Sequence, residues 1–253
     1  MKILLKPLQW IYCVYALLMF IAIMFVAVPF VIIASFFGRV KGGNFIYKVV
    51  KAWGFLWYFI VGIRHKNIFE VAHDRSKQYI FIANHISYMD IPPVVMALDQ
   101  PVRILAKYEM SKVPIFGYIY KSATVMVKRN DADNRARSVL EMKEFIRRHI
   151  SIFIFPEGTL NDTGKPLKAF FDGAFRIAIE TETPLKLVLF VDTVDRLHYS
   201  SIFTLTPGPC RVVFLDELPV TGLTLNDLPA LKQKAYDLMD AGLKKYQKYP
   251  KEV

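Results

Sequence analysis

Hydrophobic and polar positions are spread unevenly along this chain, and the unevenness divides it in two. From Leu8 to Phe37 no charged residue occurs. That run exceeds the roughly 20 apolar residues a bilayer-crossing helix needs. It has no small-residue cleavage motif and is too long for a signal-peptide core, so it reads as a retained segment. A second apolar run, Ala52 to Ile63, is too short to span comfortably. Its Trp53, Trp57 and Tyr58 are ring types that favour the headgroup level, so it reads as an interfacial or half-buried helix paired with the first. Arg39, Lys41, Lys48 and Lys51 lie between the two. Positive charge there places the following chain on the cytoplasmic side. Two arrangements fit: the first segment crosses the bilayer, or both form a hairpin sunk into one leaflet.

Beyond Ile63 short apolar runs alternate with amphipathic stretches. The pattern predicts strands over residues 79–83, 102–106, 123–127, 152–155, 185–191 and 212–215. It predicts helices over 92–98, 133–148, 171–181 and 228–248, with a helix or turn from Pro114. In the stretch 133–148, Ala136, Val139, Leu140, Met142, Phe145 and Ile146 recur near helical spacing with charges between them. Strands alternating with helices predict an α/β layered domain. The division falls near residue 64, giving residues 1–64 as membrane-anchoring hydrophobic helices and 65–253 as the second domain.

The net charge of +11 over 253 residues points to nucleic acid, an anionic lipid surface or an acidic small substrate. With an apolar segment attached, an anionic membrane surface is the simplest partner. No nucleic-acid motif is present, and the basic residues are interleaved with apolar ones. Cys13 and Cys210 lie far apart and suit a reducing compartment. His65, His73, His149 and His198 are scattered without metal-ligand spacing, so no metal is expected. There is no Gly-x-Ser-x-Gly elbow, P-loop or dinucleotide fingerprint.

The informative chemistry lies at strand ends. Asn84-His85-Ile86-Ser87-Tyr88-Met89-Asp90 follows the apolar run Tyr79–Ala83 and precedes Ile91-Pro92-Pro93. In a continuous helix, five residues would turn Asp90 about 140° away from His85. A loop that folds back can instead bring the carboxylate to the imidazole, fix its tautomer and leave the other nitrogen as a base. The same residues also fit a Ser87-x-x-Asp90 capping box, in which Asp90 only caps a helix. Pro156-Glu157-Gly158-Thr159 forms a turn after another strand, where exposed N–H groups can meet an anion or an oxyanion. Two further clusters are Lys107-Tyr108-Glu109 with Pro114-Ile115-Phe116-Gly117, and Lys128-Arg129, where arginine can grip phosphate bidentately.

Taken in order, the blocks NHISYMD, AKYEMSKVPIFGYIY leading to VKR, FPEGT and the weaker PLKLVLF resemble those of the 1-acylglycerol-3-phosphate acyltransferases, within the glycerolipid acyltransferase superfamily. The resemblance covers most of residues 65–215. It implies a mixed β-sheet flanked by helices, preceded by a hydrophobic two-helix membrane segment. It implies that His85 and Asp90 are the catalytic pair. Arg129, Glu157, Gly158 and Thr159 would line the acceptor's glycerol-phosphate site with Lys107 nearby, and Phe116 and Gly117 belong to the same substrate-binding block. The implied donor is an acyl-CoA or acyl carrier protein thioester, with no other cofactor. The implied location is the cell inner membrane, with the catalytic domain on the cytoplasmic side.

Two departures stand out. Leu160 follows Pro-Glu-Gly-Thr where the family usually has arginine or another polar residue; Lys165 or Lys168 is a candidate replacement. The fourth block keeps Pro184 but lacks the family's second proline. Alternatives are acylation of a non-phosphate lysolipid such as an amino-acid-headgroup lipid, a lipid hydrolase or thioesterase using the same base, and a non-catalytic membrane-binding module.

Overall fold

The structure, a computed structural model, describes the backbone of residues 2–246 and the side chains of residues 6–246. Two helices lead the chain, α1 (Lys2–Ser35) and α2 (Gly43–Ile60), joined by a short π-helical turn. There follow β1 (Ile63–Phe69), β2 (Ile80–Ala83), α3 (Ile91–Ala97), β3 (Val102–Lys107), α4 (Phe116–Ala123), β4 (Thr124–Val127) and α5 (Ala132–Arg147). The chain continues through β5 (Ser151–Ile154), α6 (Gly173–Glu180), β6 (Leu185–Phe190), α7 (Thr193–Arg196), β7 (Gly208–Leu218) and α8 (Leu228–Tyr246). The expected end of the last helix at Lys248 lies outside the described residues.

The seven strands form one mixed sheet in the order β1-β7-β6-β2-β5-β3-β4. Pairing is parallel except between β6 and β7. The central strands are buried on both faces, which is why they read as unbroken apolar runs. Alternation along β2 sends Tyr79, Phe81 and Ala83 into one core with α2 and α3, and Ile80 and Ile82 into a second core with α5, α6 and α8. The result is a helix–sheet–helix sandwich.

Among the described residues, only α1 is long and apolar enough to cross a membrane. It lies along the domain, not away from it. Cys13, Ala16, Met24, Ala27, Val31 and Ala34 form its buried seam, with partly buried Phe20 between Ala16 and Met24, at spacings of three and four. Near its start Trp10 meets Phe203; at its end the Ser35 hydroxyl bonds the Tyr118 hydroxyl of α4 at 2.7 Å. Its outer face, including Ile11, Leu18, Val26, Phe30 and Ile33, is exposed. α2 sits between α1 and the sheet and buries Ile46, Tyr47, Trp53, Trp57 and Tyr58; Phe55, Leu56 and Phe59 face outward. Trp57 donates its indole N–H to the Ala16 carbonyl at 2.8 Å. Arg103 of β3 is buried and donates to the Arg39 carbonyl and the Asn44 side chain, fastening the α1–α2 turn to the sheet. Burial lowers its pKa to about 10.

β1 was not anticipated from the pattern. Its Ile-Arg-His-Lys-Asn core is polar because the strand lies at the sheet edge, pairing with β7 alone.

Candidate active site

The parallel strands β2, β5, β3 and β4 all end at one rim of the sheet, and each predicted site residue follows one of these ends. Crevices outside the carboxyl ends of parallel strands, where the strand order reverses, are where open α/β sheets bind ligands. Here the reversal lies at β2, flanked by β6 and β5.

His85 leaves the end of β2 in a loop held on several sides. The Asn84 side chain, fully buried, accepts from the Phe190 N–H at 2.8 Å and donates to the Phe190 carbonyl at 3.0 Å, tying the end of β2 to β6. The Ser87 hydroxyl donates to the Leu197 carbonyl at 2.6 Å. The chain then turns into one 3-10 turn, Tyr88–Asp90, before α3 begins with its two prolines. This turn returns Asp90 to the histidine, and the Nδ1 of His85 lies 2.8 Å from Oδ2 of Asp90.

The two readings of Asp90 coincide in one carboxylate. Its Oδ2 also accepts from the N–H groups of Ile86 at 2.8 Å and Ser87 at 2.9 Å, completing a capping box. Asp90 is 0% exposed, whereas the His85 side chain is 15% exposed and stacks on the Phe155 ring at 4.1 Å. The carboxylate is therefore shielded and its imidazole reaches solvent. With Nδ1 engaged by Asp90, Nε2 is left with the lone pair.

Glu157 sits beside this loop, at the end of β5. Its Oε1 accepts from the His85 N–H at 2.8 Å and its Oε2 from the Lys168 N–H at 2.8 Å. It is 2% exposed. Burial pushes its carboxyl up to about 7, against the pull of those two backbone donors. The Asn161 N–H donates to the His85 carbonyl at 2.6 Å, so both backbone groups of His85 are held by residues 157–161. Glu157 in this geometry spends both oxygens on backbone. It fixes where the histidine stands.

The rest of the turn is built around this latch. Gly158 has φ +71°, and a Cβ there would lie 2.7 Å from the Phe171 ring. Thr159 is exposed; its hydroxyl receives Lys168 Nζ at 3.3 Å. The same ammonium donates to the Leu160 carbonyl at 2.6 Å and to Asp162 at 3.0 Å. Of the two candidate replacements for a missing cation, Lys168 lies on the turn, while Lys165 is exposed.

Lys107 and Arg129 sit further along the rim. Lys107 ends β3 and pairs in register with Val127 of β4, two residues before Arg129. Both are exposed, and the Arg129 guanidinium forms no ion pair within 4 Å among the described residues. Partial burial lowers its pKa, opposed by the Tyr120 and Glu109 charges. Counting from β2 through β5 and β3, β4 lies about 14 Å across the sheet from β2 at roughly 4.8 Å per strand. Phe116 is half-buried against the α2-side core. Gly117 lets α4 close on the preceding turn, since a Cβ there would lie 2.2 Å from the Ser111 carbonyl oxygen. Thus His85, Asp90, Glu157, Gly158 and Thr159 form one cluster, Lys107 and Arg129 form a basic flank, and Phe116 and Gly117 act in packing.

The Asn161 and Ser87 contacts were not legible from the sequence, because both reach backbone groups far along the chain. Among the described residues, no group of three His, Cys, Asp or Glu side chains is placed to hold a metal.

A family model for acyltransferases matches residues 63–189, which takes in this whole rim. The chain belongs to the acyltransferase family. A Caenorhabditis elegans protein named for 1-acyl-sn-glycerol-3-phosphate acyltransferase activity is 31% identical over 170 residues, aligning 65% of this chain and 59% of the worm protein. Human 1-acyl-sn-glycerol-3-phosphate acyltransferase beta is 27% identical over 190 residues, aligning 73% of this chain and 68% of the human one. The chain thus spans about two thirds or less of these relatives' length. The crystal structure of the 1-acyl-sn-glycerophosphate acyltransferase PlsC from Thermotoga maritima superposes with a TM-score of 0.72 at 24% identity, covering 97% of both chains. That likeness shows a shared fold over nearly the whole of both chains.

For this acyltransferase-family site, the latch geometry makes a specific prediction. Glu157→Gln keeps one carbonyl oxygen but turns an amide NH₂ toward a backbone N–H. A hydrogen bond to a charged group contributes about 1.5–3 kcal/mol, so kcat is expected to fall roughly ten-fold or more. The acceptor KM is expected to change little. Steady-state kinetics decide: a large rise in acceptor KM at unchanged kcat would show that Glu157 touches the acceptor instead.

Proposed function

We propose that the chain transfers an acyl group from an acyl thioester to the free hydroxyl of a lysophospholipid, with 1-acylglycerol-3-phosphate as acceptor and phosphatidate as product. The observation that carries this reading is the buried Asp90 carboxylate holding Nδ1 of a solvent-reaching His85 at 2.8 Å. The chemistry follows. Nε2 of His85 takes the proton of the acceptor hydroxyl as its oxygen attacks the thioester carbonyl. The imidazolium formed is stabilised by Asp90, which stays ionised. The tetrahedral oxyanion collapses, the C–S bond breaks, and the imidazolium returns its proton to the departing thiolate. No enzyme nucleophile intervenes, and the donor is an acyl-CoA or an acyl carrier protein.

The acceptor's phosphate is assigned to the basic flank of Lys107 and Arg129, with Lys168 supplying the cation that Leu160 does not. Its hydroxyl would then lie toward His85. Arg129→Ala is expected to raise the acceptor KM about 10- to 150-fold, the equivalent of a charge-assisted hydrogen bond of roughly 1.5–3 kcal/mol. The donor KM should move little. Kinetics with both substrates varied test this, and an unchanged acceptor KM together with poor use of 1-acylglycerol-3-phosphate by the wild type would favour a non-phosphate lysolipid.

The membrane reading also takes a definite form. From Trp10 to Ser35, α1 is in contact with the domain at both ends, a span of about 38 Å at 1.5 Å per residue. Crossing a hydrocarbon core of about 30 Å would carry part of the domain into lipid. A helix pair lying in one leaflet, outer face down, avoids this and keeps the site at the interface on the cytoplasmic side.

A further inference from the structure

The turn between β3 and α4 carries an exposed apolar surface that the reaction does not use. Met110, Val113, Ile115 and Tyr118 are each 41–43% exposed within nine residues of chain. Ile115 has φ +63° and ψ −59°, and the Phe116 N–H donates to the Pro114 carbonyl at 2.6 Å. This is a tight three-residue γ-turn, a conformation that is strained for a β-branched side chain. Glycine would relieve that strain at once. The sequence instead holds a large apolar side chain out from the surface there, and strain of this kind marks functional segments.

The surroundings identify what would cover it. Tyr118 bonds Ser35 at the end of α1, and Phe36 and Phe37 just beyond are 83% and 66% exposed. The turn therefore continues the uncharged outer face of α1. Lys107, Lys112 and Lys121 lie around it and are exposed, with Glu109 the single carboxylate between residues 107 and 121. An apolar tip rimmed by lysines fits the apolar edge and anionic headgroups of a bilayer.

We infer that the β3–α4 turn is a second membrane-seating surface, with Val113, Ile115 and Tyr118 entering the headgroup boundary of an anionic bilayer beside α1. This rests on the reading of α1 as a helix lying in one leaflet. A contact to one side of α1 limits rotation of the domain about the helix axis, which the helix alone leaves free. Because the turn follows the end of β3, it holds the His85 rim against the lipid surface.

The test uses the full chain reconstituted in vesicles of neutral and anionic phospholipid carrying nitroxide-labelled acyl chains. Three variants, Ile115→Cys, Phe30→Cys and Leu140→Cys, are each labelled with an environment-sensitive fluorophore. Leu140 is 65% exposed on α5, on the opposite layer of the sandwich. The expected result is quenching at Ile115 and Phe30 with none at Leu140. Quenching at Phe30 without Ile115 overturns the inference and leaves the α1 reading standing. Quenching at neither site overturns both. As a second readout, Val113→Ser with Ile115→Ser should slow turnover of vesicle-embedded acceptor several-fold and leave turnover of detergent-dispersed acceptor unchanged; an equal loss in both would also overturn it.

Discussion

Replacing His85 by alanine is expected to abolish acyl transfer and leave the fold in place. The loop around His85 is held by its backbone, through the Glu157 carboxylate and the Asn161 N–H, and by the Asn84 side chain bonded to Phe190 of β6. None of these contacts uses the imidazole. Loss of a general base typically costs about 10²–10⁴-fold in rate. Circular dichroism and thermal melting would report the fold, and a thioester assay the rate. Near-normal turnover in a folded variant would remove His85 from the chemistry.

Asp90→Asn is expected to be nearly as severe, and it separates the proposed catalytic role of Asp90 from its role in the turn. The carbonyl oxygen of asparagine can occupy the Oδ2 position and still accept from Ile86, Ser87 and His85. The loop therefore survives, at a cost near the roughly 1 kcal/mol typical of a capping change. The negative charge is gone, so the imidazolium formed in the reaction loses its counter-charge, and losses up to about 10⁴-fold are known for such a change. Rate and melting temperature measured on one preparation distinguish the roles. A large drop in stability with the rate per folded molecule retained would mean that Asp90 serves the turn alone.

How much of this was legible in the sequence depends on whether the signal was local. The His85–Asp90 pair was readable because only four residues lie between its members and the two prolines mark where α3 starts. The central strands were readable because burial on both faces makes Tyr79–Ala83 and Leu185–Phe190 continuous apolar runs. β1 was hidden because an edge strand tolerates Arg64, His65 and Lys66, whose pattern resembles a loop. β7 was expected over four residues and runs from Gly208 to Leu218, since its polar ends gave no strand signal.

Glu157 shows a different limit. The residues alone read as a surface turn whose N–H groups could meet an anion, and only the family resemblance implies that Glu157 lines the acceptor site. Its partners are the N–H groups of His85, far upstream, and Lys168, eleven residues on. Neither pairing follows from local spacing; both follow from β2 and β5 being neighbours in the sheet. Likewise, the apolar content of α1 was plain, but the seam from Cys13 to Ala34 that lays it along the domain emerges only once α2 is in place.

The most direct test of the central claim is a labelled-acyl thioester assay on the full chain in vesicles, with and without 1-acylglycerol-3-phosphate, products resolved by mass spectrometry. Labelled phosphatidate is expected, its formation requiring the acceptor and disappearing in His85→Ala. Labelled free fatty acid released at the same rate with or without acceptor would contradict it and make the site a hydrolase.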